Sequence, residues 1–190
     1  FQMNEIIQLR NPKTEHYGNF KSYILSGRFP WYFHEKQQPD KYHQDDTVAK
    51  TRFVHPRMNL DKLGHVSMHA HGFLGRPEPL PRFEDVEYLP HAWKLLEEIF
   101  IYNRIPVECV LRIAANKVSP DPDIDTTHVH VDHHFPHKNI LVYLTDAGGE
   151  TITENDYHDP KEDDVIIFEG YHTHNVPKSK TRIVLVATYF

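Results

Sequence analysis

Residues 128–132 read His-Val-His-Val-Asp, and this stretch gives the strongest indication of the fold. In an extended strand, alternate side chains share a face. His128, His130 and Asp132 would therefore point to one side of a strand and the two valines to the other. The pattern predicts a strand whose polar face carries metal-binding groups and whose apolar face packs on a core.

A second histidine-rich stretch, Gly-Tyr-His-Thr-His, occupies residues 170–174. Two imidazoles and one carboxylate on one side of a metal leave its other positions open, as is typical of non-haem Fe(II) oxygenases. His130 and Asp132 would supply two ligands, and a distant histidine the third. Because His172 and His174 share a face of an extended strand, periodicity does not separate them. A ligand pair formed by His128 and His130 is the alternative at the first stretch.

The composition limits the remaining possibilities. With 190 residues and 22.4 kDa, the chain is long enough for one well-buried core, and we predict a single domain over residues 1–190. A net charge of -6 argues against a nucleic-acid partner, which would require a basic surface. Cys109 is the only cysteine, which excludes an internal disulfide and a cysteine-based zinc site. The number of histidines, 16, raises the expectation of metal chemistry.

The sequence shows no membrane segment or export signal. No apolar run approaches the roughly 20 residues that span a bilayer. Residues 1–19 lack the charged-then-apolar order of a signal peptide. We expect a cytoplasmic protein with no membrane partner.

Periodicity predicts a helix followed by a series of strands. Apolar residues at helical spacing, from Trp93 to Phe100, predict a helix over Pro90–Tyr102. We also expect the block Phe29–Phe33 to form a buried wedge, and residues 53–75 to be irregular. The predicted strands are Glu108–Ala115, Thr127–Asp132, Lys138–Thr145, Glu150–Thr153, Asp164–Glu169, His172–Val176 and Arg182–Phe190.

Five motifs in order carry a resemblance to a known family. They are H-x-D at 130–132, Y-L-x-D at 143–146, G-G-E-T at 148–151, H-N-V-P at 174–177 and T-R at 181–182. Over about residues 113–190 the chain resembles the 2-oxoglutarate- and Fe(II)-dependent dioxygenases. It is most similar to their prolyl-hydroxylase-like branch and to small uncharacterised members carried by marine phages and bacteria.

The resemblance implies a fold that is mainly β with flanking helices, a double-stranded β-helix or jelly roll. Residues of about 1–105 would give an N-terminal support with the helix, and residues of about 106–190 the jelly-roll core. The resemblance also implies that His130, Asp132 and His174 bind Fe(II).

Three further residues are implied to bind the cosubstrate. Arg182 would form two parallel bonds to the distal carboxylate of 2-oxoglutarate, whereas a charge at the start of an apolar strand could also extend to water. The hydroxyl of Tyr143 would reach the same carboxylate, or Tyr143 would pack in the core. Asn116 would bind the cosubstrate or an iron-bound water, or form a turn.

The predicted activity is hydroxylation coupled to oxidative decarboxylation of 2-oxoglutarate, with Fe(II), 2-oxoglutarate and O2 as cofactor and cosubstrates. The substrate would be a small molecule or a protein side chain, and the sequence predicts no oligomeric state. A non-catalytic, cupin-like module that binds a metal or small ligand is the alternative, although no Glu follows the H-x-H stretch before Glu150. The histidines at 65, 69 and 71 could hold a second metal, but a loop over the site or plain surface is favoured.

Overall fold

A computed structural model describes residues 5–35, 52–75 and 85–190. Its strands are Ile7–Leu9 (β1), Tyr32–His34 (β2), Leu63–Gly64 (β3), Met68–Leu74 (β4), Val110–Val118 (β5), Thr126–Thr127 (β6), Lys138–Tyr143 (β7), Thr151–Thr153 (β8), Tyr157–His158 (β9), Val165–Glu169 (β10), His172–His174 (β11) and Arg182–Tyr189 (β12). Among these residues no helix is long and apolar enough to cross a membrane.

The described strands pair mostly antiparallel. The large sheet has the order β1-β10-β7-β12-β5-β4-β2, a smaller sheet the order β11-β8-β9, and β3 pairs with β6 in parallel. Strands from the first half of the chain, β1, β2 and β4, thus lie in the same sheet as strands from the second half. The predicted fold class, mainly β with flanking helices in a jelly roll, is confirmed.

Two helices cover one face of the large sheet. Helix α1 spans Glu15–Leu25, and the side chain of Thr14 caps its first turn by accepting from the backbone N–H of Tyr17. Helix α2 spans Leu89–Asn103 and confirms the helix predicted from the apolar spacing. The hydroxyl of Thr14 also donates to Glu98 at 2.5 Å, which ties α1 to α2.

Side chains on opposite faces of β12 belong to two different hydrophobic clusters. Ile183, Leu185 and Ala187 pack with the helices in the larger core. Val184 and Val186 face the other way and form a smaller apolar cluster on the inner face of the sheet. Because alternate side chains point to opposite faces, one strand serves both layers.

Two of the predicted elements are wrong. Regular strand ends at Thr127, and the only pairing within the rest of the predicted strand Thr127–Asp132 is a bridge between His130 and His172. The ring of His130 bonds the carbonyl of His128 at 2.9 Å, and such local side-chain bonds compete with strand pairing. Residues 53–75, expected to be irregular, contain β4, which pairs along β5 and β2.

Burial also departs from the prediction at three aromatic residues. Phe29 is buried, but Tyr32 and Phe33 are 61% and 64% exposed, because β2 forms the outer strand of the described sheet. Trp93 belongs to the predicted buried stripe of α2 but is 42% exposed. Leu95, two residues later, is fully buried, so the buried stripe is centred on that side of the helix.

Candidate metal and cosubstrate site

The histidines of the two sequence stretches meet in one pocket on the inner face of the large sheet. One ring nitrogen from each of His130, His172 and His174 lies within 4.8 Å of the others. This trio is the only metal-binding group of three or more His, Cys, Asp or Glu found in the described ranges. Strand β11 supplies two of the rings, and the bridge between residues 130 and 172 holds the third beside them through two backbone hydrogen bonds of 2.9 Å.

Local hydrogen bonds orient two of these rings. Nδ1 of His130 lies 2.9 Å from the carbonyl oxygen of His128, and Nδ1 of His172 lies 3.1 Å from that of Gly170. A carbonyl oxygen only accepts, so each Nδ1 must carry the proton and donate. In the neutral form of each ring, Nε2 is then the unprotonated nitrogen, which is the form that binds a metal.

The third ring is oriented through side chains. Nδ1 of His174 lies 2.9 Å from the hydroxyl of Thr151, which in turn lies 2.5 Å from the hydroxyl of Tyr143. All three side chains are buried. Partners of this kind around a ligand typically contribute 10–100-fold to metal affinity.

The carboxylate of Asp132 lines the same pocket and is 8% exposed. Its Oδ2 lies 3.8 Å from Nε2 of His172, and its Oδ1 lies 3.3 Å from Nη1 of Arg112. Arg112 therefore holds the carboxylate at the edge of the histidine group. The pocket thus contains four candidate metal donors.

Burial keeps the two histidines of β11 uncharged. The pKa of His172 is lowered, mainly because desolvation penalises the charged ring, although the nearby Asp132 acts in the opposite direction. The pKa of His174 is lowered well below its usual value by desolvation, with further contributions from His172 and Arg182. Both rings are neutral near pH 7 and available as ligands.

Arg182 is a buried cation at the other end of the pocket, 4% exposed. Its Nη1 donates to the carbonyl oxygens of Gly149 at 2.7 Å and Asn175 at 3.0 Å, and its Nε has no hydrogen-bond partner. Within the described ranges no carboxylate forms an ion pair with it. Burial lowers its pKa, yet a guanidinium remains charged in proteins. A buried charge of this kind needs an anionic partner.

Two other residues of the predicted site also line the pocket. The hydroxyl of Tyr143 bonds Thr151, and burial raises the pKa of Tyr143 to about 12. Asn116 lies in the middle of β5, which excludes the turn considered for it, and its buried Oδ1 has no hydrogen-bond partner. The structure thus brings together His130, Asp132, His174, Arg182, Tyr143 and Asn116.

The other histidines take different positions. His128 packs against the ring of His65 with centroids 4.6 Å apart and is not part of the histidine trio. His69 contacts Phe33, and His71 bonds Asp85 at 2.6 Å. The three histidines considered for a second metal thus have separate neighbours.

Two contacts of the site do not follow from the sequence: the bond of Thr151 to His174 and the bond of Arg112 to Asp132. Thr151 belongs to the G-G-E-T motif, which indicates that this segment lies near the site but does not indicate the bond between Thr151 and His174. Arg112 lies on the same face of β5 as Asn116, as alternation predicts, but only the tertiary structure shows that it contacts Asp132.

Comparisons with solved structures agree with this architecture. An oxidoreductase of the 2OG-Fe(II) oxygenase family from Burkholderia pseudomallei is similar with a TM-score of 0.52 and 14% identity, over 96% of this chain and 95% of that chain. The chain has the fold of these oxygenases. The non-heme alpha ketoglutarate dependent epimerase SnoN from nogalamycin biosynthesis gives a TM-score of 0.54 and 8% identity, over 97% of this chain and 77% of that chain.

A prolyl-4-hydroxylase from Pseudomonas putida gives a TM-score of only 0.41 and 10% identity, over 90% of this chain and 97% of that chain. That likeness is too weak to support the prolyl-hydroxylase-like branch. No protein-family model matches the sequence, and no curated protein does either.

Proposed function

We propose that the protein is a non-haem Fe(II) oxygenase that couples oxidative decarboxylation of 2-oxoglutarate to hydroxylation of a substrate. One observation carries the proposal: metal donors and a buried arginine that forms no ion pair with any described residue line the same pocket on a jelly-roll fold. The substrate would be a small molecule or a protein side chain.

The donor chemistry of the pocket suits the metal. His130, Asp132 and His174 would hold Fe(II), giving the two imidazoles and one carboxylate that leave positions open on the metal. The hydrogen bonds on Nδ1 of His130 and His174 support this assignment, because they turn Nε2 of each ring toward the pocket.

The buried charge of Arg182 suits the cosubstrate. 2-Oxoglutarate carries a carboxylate at the end remote from its 2-oxo acid group, and a guanidinium binds carboxylates through charge-assisted hydrogen bonds. Nε of Arg182 has no partner to lose on binding. Asn116 offers an acceptor, Oδ1, to a donor in the pocket.

The chain positions the reactants, and the iron supplies the oxidation. When bound, Fe(II) would activate O2 to convert 2-oxoglutarate into succinate and carbon dioxide and to hydroxylate a C–H bond of the substrate. The apolar walls around the donors, Leu141, Val184 and Val186, would exclude water from that chemistry.

Two measurements test the proposal. Anaerobic addition of Fe(II) and 2-oxoglutarate should produce a visible charge-transfer band, whereas a binding module of the cupin-like kind should give none. In air, Asp132→Ala should abolish succinate release while leaving the circular dichroism spectrum unchanged. Succinate release within a few-fold of the unmutated protein would remove Asp132 from the metal site.

A further inference from the structure

The pocket holds one metal donor more than the proposed iron site needs. His130, Asp132 and His174 suffice for iron, yet His172 projects into the same pocket and belongs to the same nitrogen group. It is buried, at 2% exposed, and its ring centroid lies 4.3 Å from that of His130 and 5.2 Å from that of His174. Its role needs a separate explanation.

The contacts of His172 point to a cation. Its Nδ1 donates to the carbonyl oxygen of Gly170, so Nε2 presents a lone pair. That lone pair faces Oδ2 of Asp132 at 3.8 Å, which is too long for a hydrogen bond. Two acceptors that face each other across a short gap repel, and a metal ion between them would turn this repulsion into two attractive contacts.

The complete donor set matches zinc. Three imidazole nitrogens and one carboxylate oxygen are the ligand types that Zn²⁺ takes, and four protein ligands make a closed, tetrahedral site. With bonds of about 2.0–2.1 Å, the donors of such a site lie about 3.3 Å apart. The separation of 3.8 Å between His172 and Asp132 is near that value. The nitrogen trio within 4.8 Å would have to contract, and Asp132, which lies outside that 4.8 Å group, would have to move toward the rings of His130 and His174.

We propose that His172 gives this pocket a second, closed binding mode, in which His130, Asp132, His172 and His174 together bind Zn²⁺. The claim that zinc displaces iron and stops turnover rests on the proposed oxygenase function; the four-donor zinc site does not. Zn²⁺ binds nitrogen and oxygen donors more tightly than Fe²⁺ does. A closed site also leaves no position for 2-oxoglutarate, so the zinc form is inactive.

The test compares the unmutated protein with His172→Phe, which keeps a ring beside Phe168 but removes the donor. His91→Phe, the same replacement at an exposed residue of α2, is the matched control. Zn²⁺ affinity is measured by competition with a chromophoric chelator, and Co²⁺ is added separately because its visible absorption is much stronger in tetrahedral than in octahedral sites. The Fe(II)–2-oxoglutarate band is recorded for each protein, and His172→Ala serves as a second variant.

We expect His172→Phe to weaken Zn²⁺ binding by about 100-fold or more, since even a residue that only orients a ligand contributes 10–100-fold. The strong Co²⁺ absorption should be lost, while the Fe(II)–2-oxoglutarate band persists and shows that the variant is folded. His91→Phe should leave all three measurements unchanged.

Other outcomes separate the two proposals. Equal Zn²⁺ affinity in His172→Phe and the unmutated protein would overturn the four-donor site. Loss of the iron band together with zinc binding in both His172 variants, with normal circular dichroism, would also overturn it, because His172 would then be an ordinary iron ligand. Zinc binding that depends on His172, in a protein that forms no Fe(II)–2-oxoglutarate band, would support the zinc site and reject the oxygenase.

Discussion

The two faces of the large sheet are made by the same strands but have opposite character. On the face covered by the helices, the buried side chains are mainly apolar and pack against one another, although the buried hydroxyl of Tyr189 has no hydrogen-bond partner. On the inner face, the same strands present Arg182, Tyr143 and Asn116, two of which retain buried polar atoms without a partner. Unpartnered buried groups cost free energy, so the inner face is stabilised less by its own contacts and is completed by what it binds.

This difference predicts that substitutions in the pocket beside the inner face change ligand binding and that those on the helix-covered face change stability. The largest effect is expected for His174→Ala. Removing a ligand should weaken Fe(II) binding by more than the roughly 100-fold that loss of an orienting partner costs. Metal content after dialysis measures it, with His91→Ala as the control, and retention of iron by His174→Ala would require a different ligand set.

Arg182→Gln should have the next largest effect, because it leaves the cosubstrate carboxylate without its charged partner. We expect the affinity for 2-oxoglutarate to fall by about 2–5 kcal/mol, or roughly thirtyfold to a few thousandfold. Fe(II) should still bind. Anaerobic titration of the charge-transfer band gives the affinity, and an unchanged value would place the carboxylate on another cation, such as Arg112 or Lys138.

Gly149→Ala tests the support of that arginine. Gly149 has φ +86°, and an added Cβ would lie 2.7 Å from both Nη1 of Arg182 and the carbonyl oxygen of Asn175. We expect a loss of unfolding free energy of about 1–3 kcal/mol from backbone strain, together with weaker 2-oxoglutarate binding. Gly148→Ala, at φ +68° with no atom within 4 Å of its added Cβ, should share the strain but keep the affinity. Chemical denaturation and the same titration separate the two effects; equal affinities in both variants would mean that Arg182 tolerates the shift.

The helix-covered face is tested by Ile140→Val. Ile140 is fully buried in the larger core, and removing one methyl group should lower the free energy of unfolding by about 0.5–1.5 kcal/mol. The affinities for Fe(II) and 2-oxoglutarate should stay the same. A loss of either affinity in the folded variant would contradict the separation of the two faces.

Tyr143→Phe is the corresponding substitution on the inner face. Tyr143 lies three residues after Ile140 in the same strand. Removing one neutral hydroxyl should weaken 2-oxoglutarate binding by about 0.5–1.5 kcal/mol. The titration used for Arg182→Gln measures it. A loss as large as that of the arginine variant would show that Tyr143 acts mainly by holding Thr151 and His174.

Much of the jelly roll could be predicted because local and tertiary preferences agree there. The helix at 89–103 follows from its apolar spacing, and the strands from Lys138 onward from their β-branched runs. The strand expected over Thr127–Asp132 was wrong because pairing at His130 alone, and ring-to-backbone bonds, replace a regular ladder. Strand β4 was missed because its histidines and glycine form a strand only when β5 and β2 pair with it.

The sequence predicted which residues form the candidate site better than it predicted the contacts between them. Alternation and motif order bring His130, Asp132 and Arg182 to attention, and all three line the pocket. Alternation did not distinguish His172 from His174, and both rings belong to the histidine trio. The family motifs favoured His174 as the ligand, which stays a prediction. The bond from Arg112 to Asp132 joins residues 20 positions apart and depends on how the irregular segment that carries Asp132 packs on β5, which periodicity does not specify.

The hydrogen bonds on Nδ1 of the three histidines determine how well the site tolerates substitutions at neighbouring residues. The rings of His130 and His172 are held by carbonyl oxygens two residues earlier in the chain. Replacing the side chain at 128 does not remove the partner of His130, whereas Gly170 has φ +79°, so a side chain there would strain the backbone that holds His172. The ring of His174 depends instead on the hydroxyl of Thr151, which a single codon change can delete. The orientation of His130 thus tolerates substitution of its neighbour, whereas the orientations of His172 and His174 each depend on the identity of one other residue.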